Sequence, residues 1–247
     1  MDEHIITELK DLVLRIEINR PKKKNALTSS MKDSIAEAIW RGENNPKIHV
    51  ILINGQKDFF STGVDINTFN EILPNKDVPW PDHLTMFRTA KKPLIAAVSG
   101  YAIGAGMTLL LHCDLVYAAE NAKFRLPFTD LGVCPENGSS FLLPYLIGYY
   151  RASELLLFGE FFDAKKAYEL GFVNALFPTD QLLDNTMILA KKLAEKPPKS
   201  VQATKYLMKR NTEIQLKKAI DLENKYFSER VKSSEHIKAI EAFFKRK

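Results

Sequence analysis

An α/β fold with a helical C-terminal third is the architecture this sequence predicts, and three observations carry it. Leu12, Leu14, Ile16 and Ile18 alternate with Val13, Arg15, Glu17 and Asn19, the period-two pattern of a strand with one buried face. Strand and helix signals then alternate along the first half of the chain. Beyond Phe177 and Pro178 the apolar residues change to helical spacing and keep it.

Thr28 is placed to cap a helix whose Met31, Ile35, Ala38 and Ile39 share a face, ending near Gly42. Val50 to Ile53 and Leu94 to Val98 are short apolar runs, the pattern of strands buried on both faces. Between them, Leu73 to Asp82 combines three prolines with alternating charge and reads as an exposed loop. In the last third, Leu182 to Lys196, Lys199 to Lys209 and Ile214 to Phe227 have helical spacing, with a further segment from Ser234. Pro197-Pro198 separates the first two of these helices. The expected division is a core over residues 1–180 and a helical region over residues 181–247.

A chain of 247 residues with 26% charged and 45% apolar residues has the composition of a soluble globular protein with a substantial core. No window approaches the ~18 consecutive apolar residues of a membrane span. Met1-Asp2-Glu3-His4 lacks the layout of a secretory signal, so either an aqueous compartment or a targeting segment already removed is expected. The net charge of +5 favours an anionic partner, yet no nucleic-acid motif accompanies it, so nucleic acid is not expected as that partner. A phosphorylated small molecule fits the charge as well. Cys113 and Cys134 have neither metal-ligand spacing nor disulfide density, so reduced thiols and no metal are expected.

Chemistry concentrates in Asp130-Leu131-Gly132-Val133-Cys134-Pro135-Glu136-Asn137-Gly138-Ser139-Ser140, where Glu136 sits among apolar and glycine residues. A carboxylate with few charged neighbours becomes a base that works near neutral pH, and Phe128, Val133 and Phe141 would raise its pKa. The plainer alternative is a surface or loop-capping carboxylate. Two strand-to-helix turns, Phe59 to Ile66 and Ser99 to Gly106, present amides at helix starts that could converge on one oxygen. Tight turning and close packing would account for their glycines equally well.

Arg20-Pro21, Asn25-Ala26-Leu27, Phe60-Ser61-Thr62-Gly63-Val64-Asp65-Ile66, Lys92 to Gly106, Cys113-Asp114 and Ala122-Lys123-Phe124 resemble the crotonase (enoyl-CoA hydratase/isomerase) superfamily in order and spacing. The resemblance runs through nearly the whole chain, including Ala164 to Phe177. It implies a spiral of ββα units, a C-terminal helical region used in trimerisation, and a site for an acyl-coenzyme A thioester. It also implies an oxyanion hole made by the backbone N–H groups of Val64 and Ala105. Ser61, Thr62, Gly63, Val64, Asp65, Ile66, Lys24 and Phe128 are then expected to line the substrate. Lys22, Lys23 and Lys24 lie near the expected nucleotide end, where phosphate neutralisation and a solvated charge run are both open readings.

Hydratases of that family carry two glutamates that activate water, and Thr108 and Phe128 stand at those positions here. Cys134-Pro135-Glu136-Asn137 instead resembles the Ser-Pro-Glu-Gly motif of peroxisomal-type Δ3,Δ2-enoyl-CoA isomerases, with Asn137 as the departure. The resemblance therefore implies isomerisation of 3-enoyl-CoA in unsaturated fatty acid β-oxidation, by a single base and without a cofactor beyond the coenzyme A of the substrate. Asp65 reads as a helix cap, His112 as a buried helix-end histidine, and Cys134 as a pocket residue. A non-catalytic acyl-CoA-binding or protein-interaction module of the same fold is the rival, and dehalogenation or thioester hydrolysis a third reading. The implied setting is a peroxisomal or mitochondrial matrix, although Phe244-Lys245-Arg246-Lys247 is not a Ser-Lys-Leu-type signal.

Overall fold

The computed structural model describes residues 1–67 and 84–245. Leu73 to Asp82, read as an exposed loop, lies outside them. Strands β1 (Ile5–Lys10) and β2 (Val13–Ile18) form an antiparallel hairpin. Its turn is Asp11-Leu12, with φ values of +50° and +65°. Leu12, expected on the buried face of the strand, is therefore an exposed turn residue, and the strand begins one residue later. The period-two pattern continued through it because a leucine at the tip carries no turn signal.

From β2 the chain winds through repeated steps of strand, strand and helix. Each step lays one strand in each of two sheets. Parallel strands β3 (Val50–Asn54), β5 (Leu94–Val98), β7 (Leu115–Ala119) and β10 (Ala175–Phe177) extend the first sheet in the order β1-β2-β3-β5-β7-β10. Short strands β4 (Phe59–Ser61), β6 (Tyr101–Ile103), β8 (Lys123–Arg125) and β9 (Phe162–Asp163) make the second. This is a spiral of ββα steps. Its short second strands, β6 among them, have too few residues to show a periodicity.

Helix α1 (Ser29–Asn44) is capped as expected, the Thr28 hydroxyl accepting from the Met31 N–H at 3.2 Å. Gly42 does not end the helix, which continues to Asn44. Met31, Ile35, Ala38 and Ile39 are buried against β2, β3 and Phe87 of α2 (Thr85–Thr89), in one continuous core. Met31, Ile35 and Ile39 each contribute roughly 1.5–3 kcal/mol. After β6 come α3 (Ala105–Thr108) and a 3₁₀ turn, Leu109–His112. Helices α4 (Ser139–Ile147), α5 (Tyr149–Phe158) and α6 (Ala164–Glu169) follow.

The last third is helical, as α7 (Leu182–Ala194), α8 (Pro198–Lys209), α9 (Glu213–Arg230) and α10 (Ser234–Lys245). Leu182, Ala190 and Ala194 of α7 share a core with Val13, Leu52, Ala97 and Tyr117 on the other face of the large sheet. Helix α8 is fastened to the spiral by Lys205 and Lys209, whose ammonium groups lie 2.7 and 2.9 Å from the Asp114 carboxylate. No helix among the described residues is long and apolar enough to cross a membrane.

Candidate active site

Asn25 builds the first turn. Fully buried, its side-chain amide donates to the carbonyls of Ile18 (2.9 Å) and Phe59 (2.8 Å), and its Oδ1 accepts from the Arg20 N–H at 2.7 Å. The Ser61 hydroxyl donates to the Asn25 carbonyl at 2.9 Å. Leu27 then pairs with the turn on both sides of Val64, donating to Gly63 O at 2.8 Å and accepting from Asp65 N at 2.9 Å. Arg20 Nη1 closes the loop on Asp65 Oδ2 at 2.6 Å.

Asp65 also accepts from the N–H of Asn67 at 3.1 Å, the helix-start cap expected of it. Burial pushes its carboxyl up, but the Arg20 hydrogen bond, the Asn67 amide and the charges of Arg20 and Lys23 outweigh this and hold it below its ordinary value. Ser61 and Asp65 were expected to line the substrate, yet their side chains are buried in this scaffold, and they act by fixing the turn. Thr62 donates to Lys24 O at 3.0 Å. Lys24 is exposed, its ammonium 5.9 Å from the centre of the Phe59 ring.

The second turn crosses the first backbone on backbone. A Cβ on Gly106 would lie 2.5 Å from Ser61 O, and one on Gly63, where φ is +91°, would lie 2.8 Å from Ile103 O and 3.4 Å from Ala105 N. Only glycine permits that approach. Val64 and Ala105 are half-buried at the crossing, and neither N–H donates to a protein acceptor among the described residues. Two backbone donors are thus held on adjacent, rigidly packed turns.

Glu136 lies in the loop that enters α4, buried at 7% exposure. Its pKa is pushed up to about 7, chiefly by burial; the positive charge of Lys32 on α1 opposes the rise and the negative charge of Glu223 on α9 adds to it. Phe128 and Val133 are buried and Phe141 packs on the same core. No side chain among the described residues hydrogen-bonds the Glu136 carboxylate.

Asn137 adopts φ +59°, the left-handed conformation that asparagine tolerates better than most residues. Its side-chain amide donates to Thr108 Oγ1 at 3.0 Å, and its carbonyl accepts from His112 Nε2 at 2.7 Å. The departure at position 137 thus ties the loop to Thr108, itself one of the positions where the hydratases differ. His112 is buried at 3% exposure in a loop-holding role. Burial raises the Cys113 thiol to about 12 and the Cys134 thiol to about 11, so neither is a nucleophile at neutral pH.

The ββα spiral thus carries two crossed turns with unspent backbone donors and, on the loop into α4, a buried carboxylate whose pKa is raised to about 7. The profile of the enoyl-CoA hydratase/isomerase family matches residues 8–247, and the chain belongs to that family. It is 32% identical over 245 residues to the 2,3-dehydroadipyl-CoA hydratase of Escherichia coli, covering 98% of this chain and 96% of that one. Identity to enoyl-CoA delta isomerase 2 of Rattus norvegicus is 33% over 242 residues, covering 95% of this chain and 62% of the longer relative. The crystal structure of an enoyl-CoA hydratase/isomerase from Pseudoalteromonas atlantica superposes with a TM-score of 0.93 at 33% identity, over 99% and 98% of the two chains. Hydratases and isomerases of the family are about equally similar to this chain.

Proposed function

We propose that this protein is a Δ3,Δ2-enoyl-CoA isomerase of unsaturated fatty acid β-oxidation, working through Glu136 alone. The observation that carries the reading is the buried Glu136 carboxylate, its pKa raised to about 7, with no second acid at Thr108 or Phe128. Thr108 is fully buried with its hydroxyl held by Asn137, and Phe128 is hydrocarbon. Neither activates water.

The Glu136 carboxylate takes a proton from C2 of the 3-enoyl thioester. The C2–H electron pair moves into a dienolate, and the charge on its oxygen falls to the N–H groups of Val64 and Ala105. Losing one such donor in other enzymes costs about 2.7–4 kcal/mol of transition-state stabilisation. The protonated Glu136 returns the same proton to C4, the double bond comes to rest between C2 and C3, and enzyme and thioester leave unchanged in charge and oxidation state. The reaction is redox-neutral, so coenzyme A enters only as part of the substrate and no further cofactor is called for. Exposed Tyr145, Leu146, Tyr149 and Tyr150 on α4 and α5 suit a subunit interface, and the proposed assembly is the homotrimer that the family resemblance implies.

The test compares 3-enoyl-CoA with 2-enoyl-CoA as substrates for the wild type and Glu136→Gln. Isomerase turnover should fall at least about 10²-fold in the variant, while the wild type hydrates 2-enoyl-CoA far more slowly than it isomerises. Comparable hydration by the wild type, or a variant of near-full activity, would refute the reading.

A further inference from the structure

Helix α4 starts immediately after the Glu136 loop with no side chain of its own at its N-terminus. Its N-cap is Gly138, which has nothing to offer the first amides. The missing acceptor comes from 85 residues further along: Glu223 Oε2 accepts from the Gly138 N–H at 2.5 Å, and Oε1 from the Ser140 N–H at 2.8 Å. Glu223 is buried at 6% exposure, and α9 lies directly over the loop, with Leu216 and Ile220 against Gly138. The other end of the loop is held by the same C-terminal region. Arg230 donates to Gly132 O at 3.3 Å and His236 to Leu131 O at 2.6 Å.

We propose that Glu223 is a positioning residue for the isomerisation, a cap supplied by the distant helix α9 of the same chain that fixes the loop bearing Glu136 and sets a second negative charge behind it. The inference rests on Glu136 being the base. Glu223 has two effects that separate by experiment. Its two oxygens fix the backbone at residues 138 and 140, two and four positions beyond the carboxylate that must serve both C2 and C4. Its charge disfavours ionisation of Glu136, against the attraction of Lys32 on α1.

The other titratable groups about the loop are Cys134, whose thiol stays neutral, His112 on the Asn137 carbonyl, Arg230 on the Gly132 carbonyl and His236 on the Leu131 carbonyl. Burial pushes Glu223 itself up, while the bonds from Ser140 and Gly138 draw it back toward the charged form.

The test is the pH dependence of kcat and KM for full-length wild type, Glu223→Gln and Glu223→Asp on 3-enoyl-CoA, with Glu136→Gln in parallel. Glu223→Gln keeps the length of the side chain and one acceptor but removes the charge. Its acidic limb should move to lower pH, so that activity near pH 6, relative to its own plateau, rises roughly twofold or more. Glu223→Asp keeps the charge but falls one carbon short of the amides. Its limb should stay with the wild type, while plateau kcat falls roughly tenfold with little change in KM.

A Glu223→Gln profile that superimposes on the wild type overturns the proposal. So does an undiminished plateau in Glu223→Asp, which decides the matter alone should the glutamine variant fail to fold. Inactivity of Glu136→Gln alongside a wild-type Glu223→Gln profile removes this inference only. Full activity of Glu136→Gln removes the base assignment beneath it.

Discussion

Replacing Glu136 by glutamine should make the folded protein more stable above neutral pH, and the size of the gain follows from its burial. The carboxyl rises from 4.5 to about 7 on folding. An acid with a raised pKa binds more protons in the native state than in the unfolded state between those two values, so stability falls as pH rises through that window. At about 1.4 kcal/mol per unit, ionising Glu136 in the folded protein costs about 3 kcal/mol, on the order-of-magnitude scale of such shifts. Glutamine has nearly the same shape and never pays that cost. Wild type and variant should therefore melt together near pH 4, diverge through pH 5 to 7, and differ by a constant amount above it. For a chain of this size each kcal/mol corresponds to roughly 2–4 °C. Calorimetric melting of both proteins across that range, without substrate, measures the difference. A Tm gap that does not change with pH, or one that opens on the acid side, would refute the placement of a charged Glu136 in an apolar loop.

Turnover should report the same ionisation: kcat/KM of the wild type should fall as pH drops through about 7, because only the carboxylate can take the C2 proton. A flat profile between pH 6 and 8 would contradict it. Gly63→Ala should cost about 10²-fold or more in kcat, since its Cβ would meet Ile103 O at 2.8 Å and push the two turns apart; steady-state kinetics on the folded variant checks this. Asp65→Asn should destabilise the protein by about 3 kcal/mol in denaturant titration, because it leaves the part-buried Arg20 without its counter-charge. Asn137→Gly keeps the left-handed backbone but frees Thr108 Oγ1, so a stability change within ~1.5 kcal/mol and isomerase activity within several-fold of wild type are expected.

Elements with a long enough pattern were legible in the sequence: the capped helix after Thr28, the apolar strands at residues 50 and 94, and the four helices of the last third. Glu136 was legible because part of its surroundings is local, with Leu131, Gly132, Val133, Cys134 and Pro135 before it and no other charged residue between Asp130 and Phe141. Lys32 and Glu223 were not. On α1 and α9 each is one charge among several, and a helix face gives no sign of which charge the fold will bury. A signal for Glu223 existed in another place, a helix start at Asn137-Gly138-Ser139 with no capping side chain at Gly138, which means that an acceptor arrives from a distant segment. The structural work of Ser61 and Asp65 was hidden for a similar reason, since their partners Asn25 and Arg20 belong to a different turn of the spiral.

The crossing of the two turns also bears on how the molecule comes into being. Its two turns are stitched together by Leu27 on Val64 and by Gly106 on Ser61, while the loop of Glu136 is capped by Glu223, so no short stretch of chain holds the site by itself. Contacts between segments this far apart form late, after helices and neighbouring strands. During refolding, recovery of activity should therefore trail recovery of helical signal, and catalysis becomes a clock for the last docking step of α9.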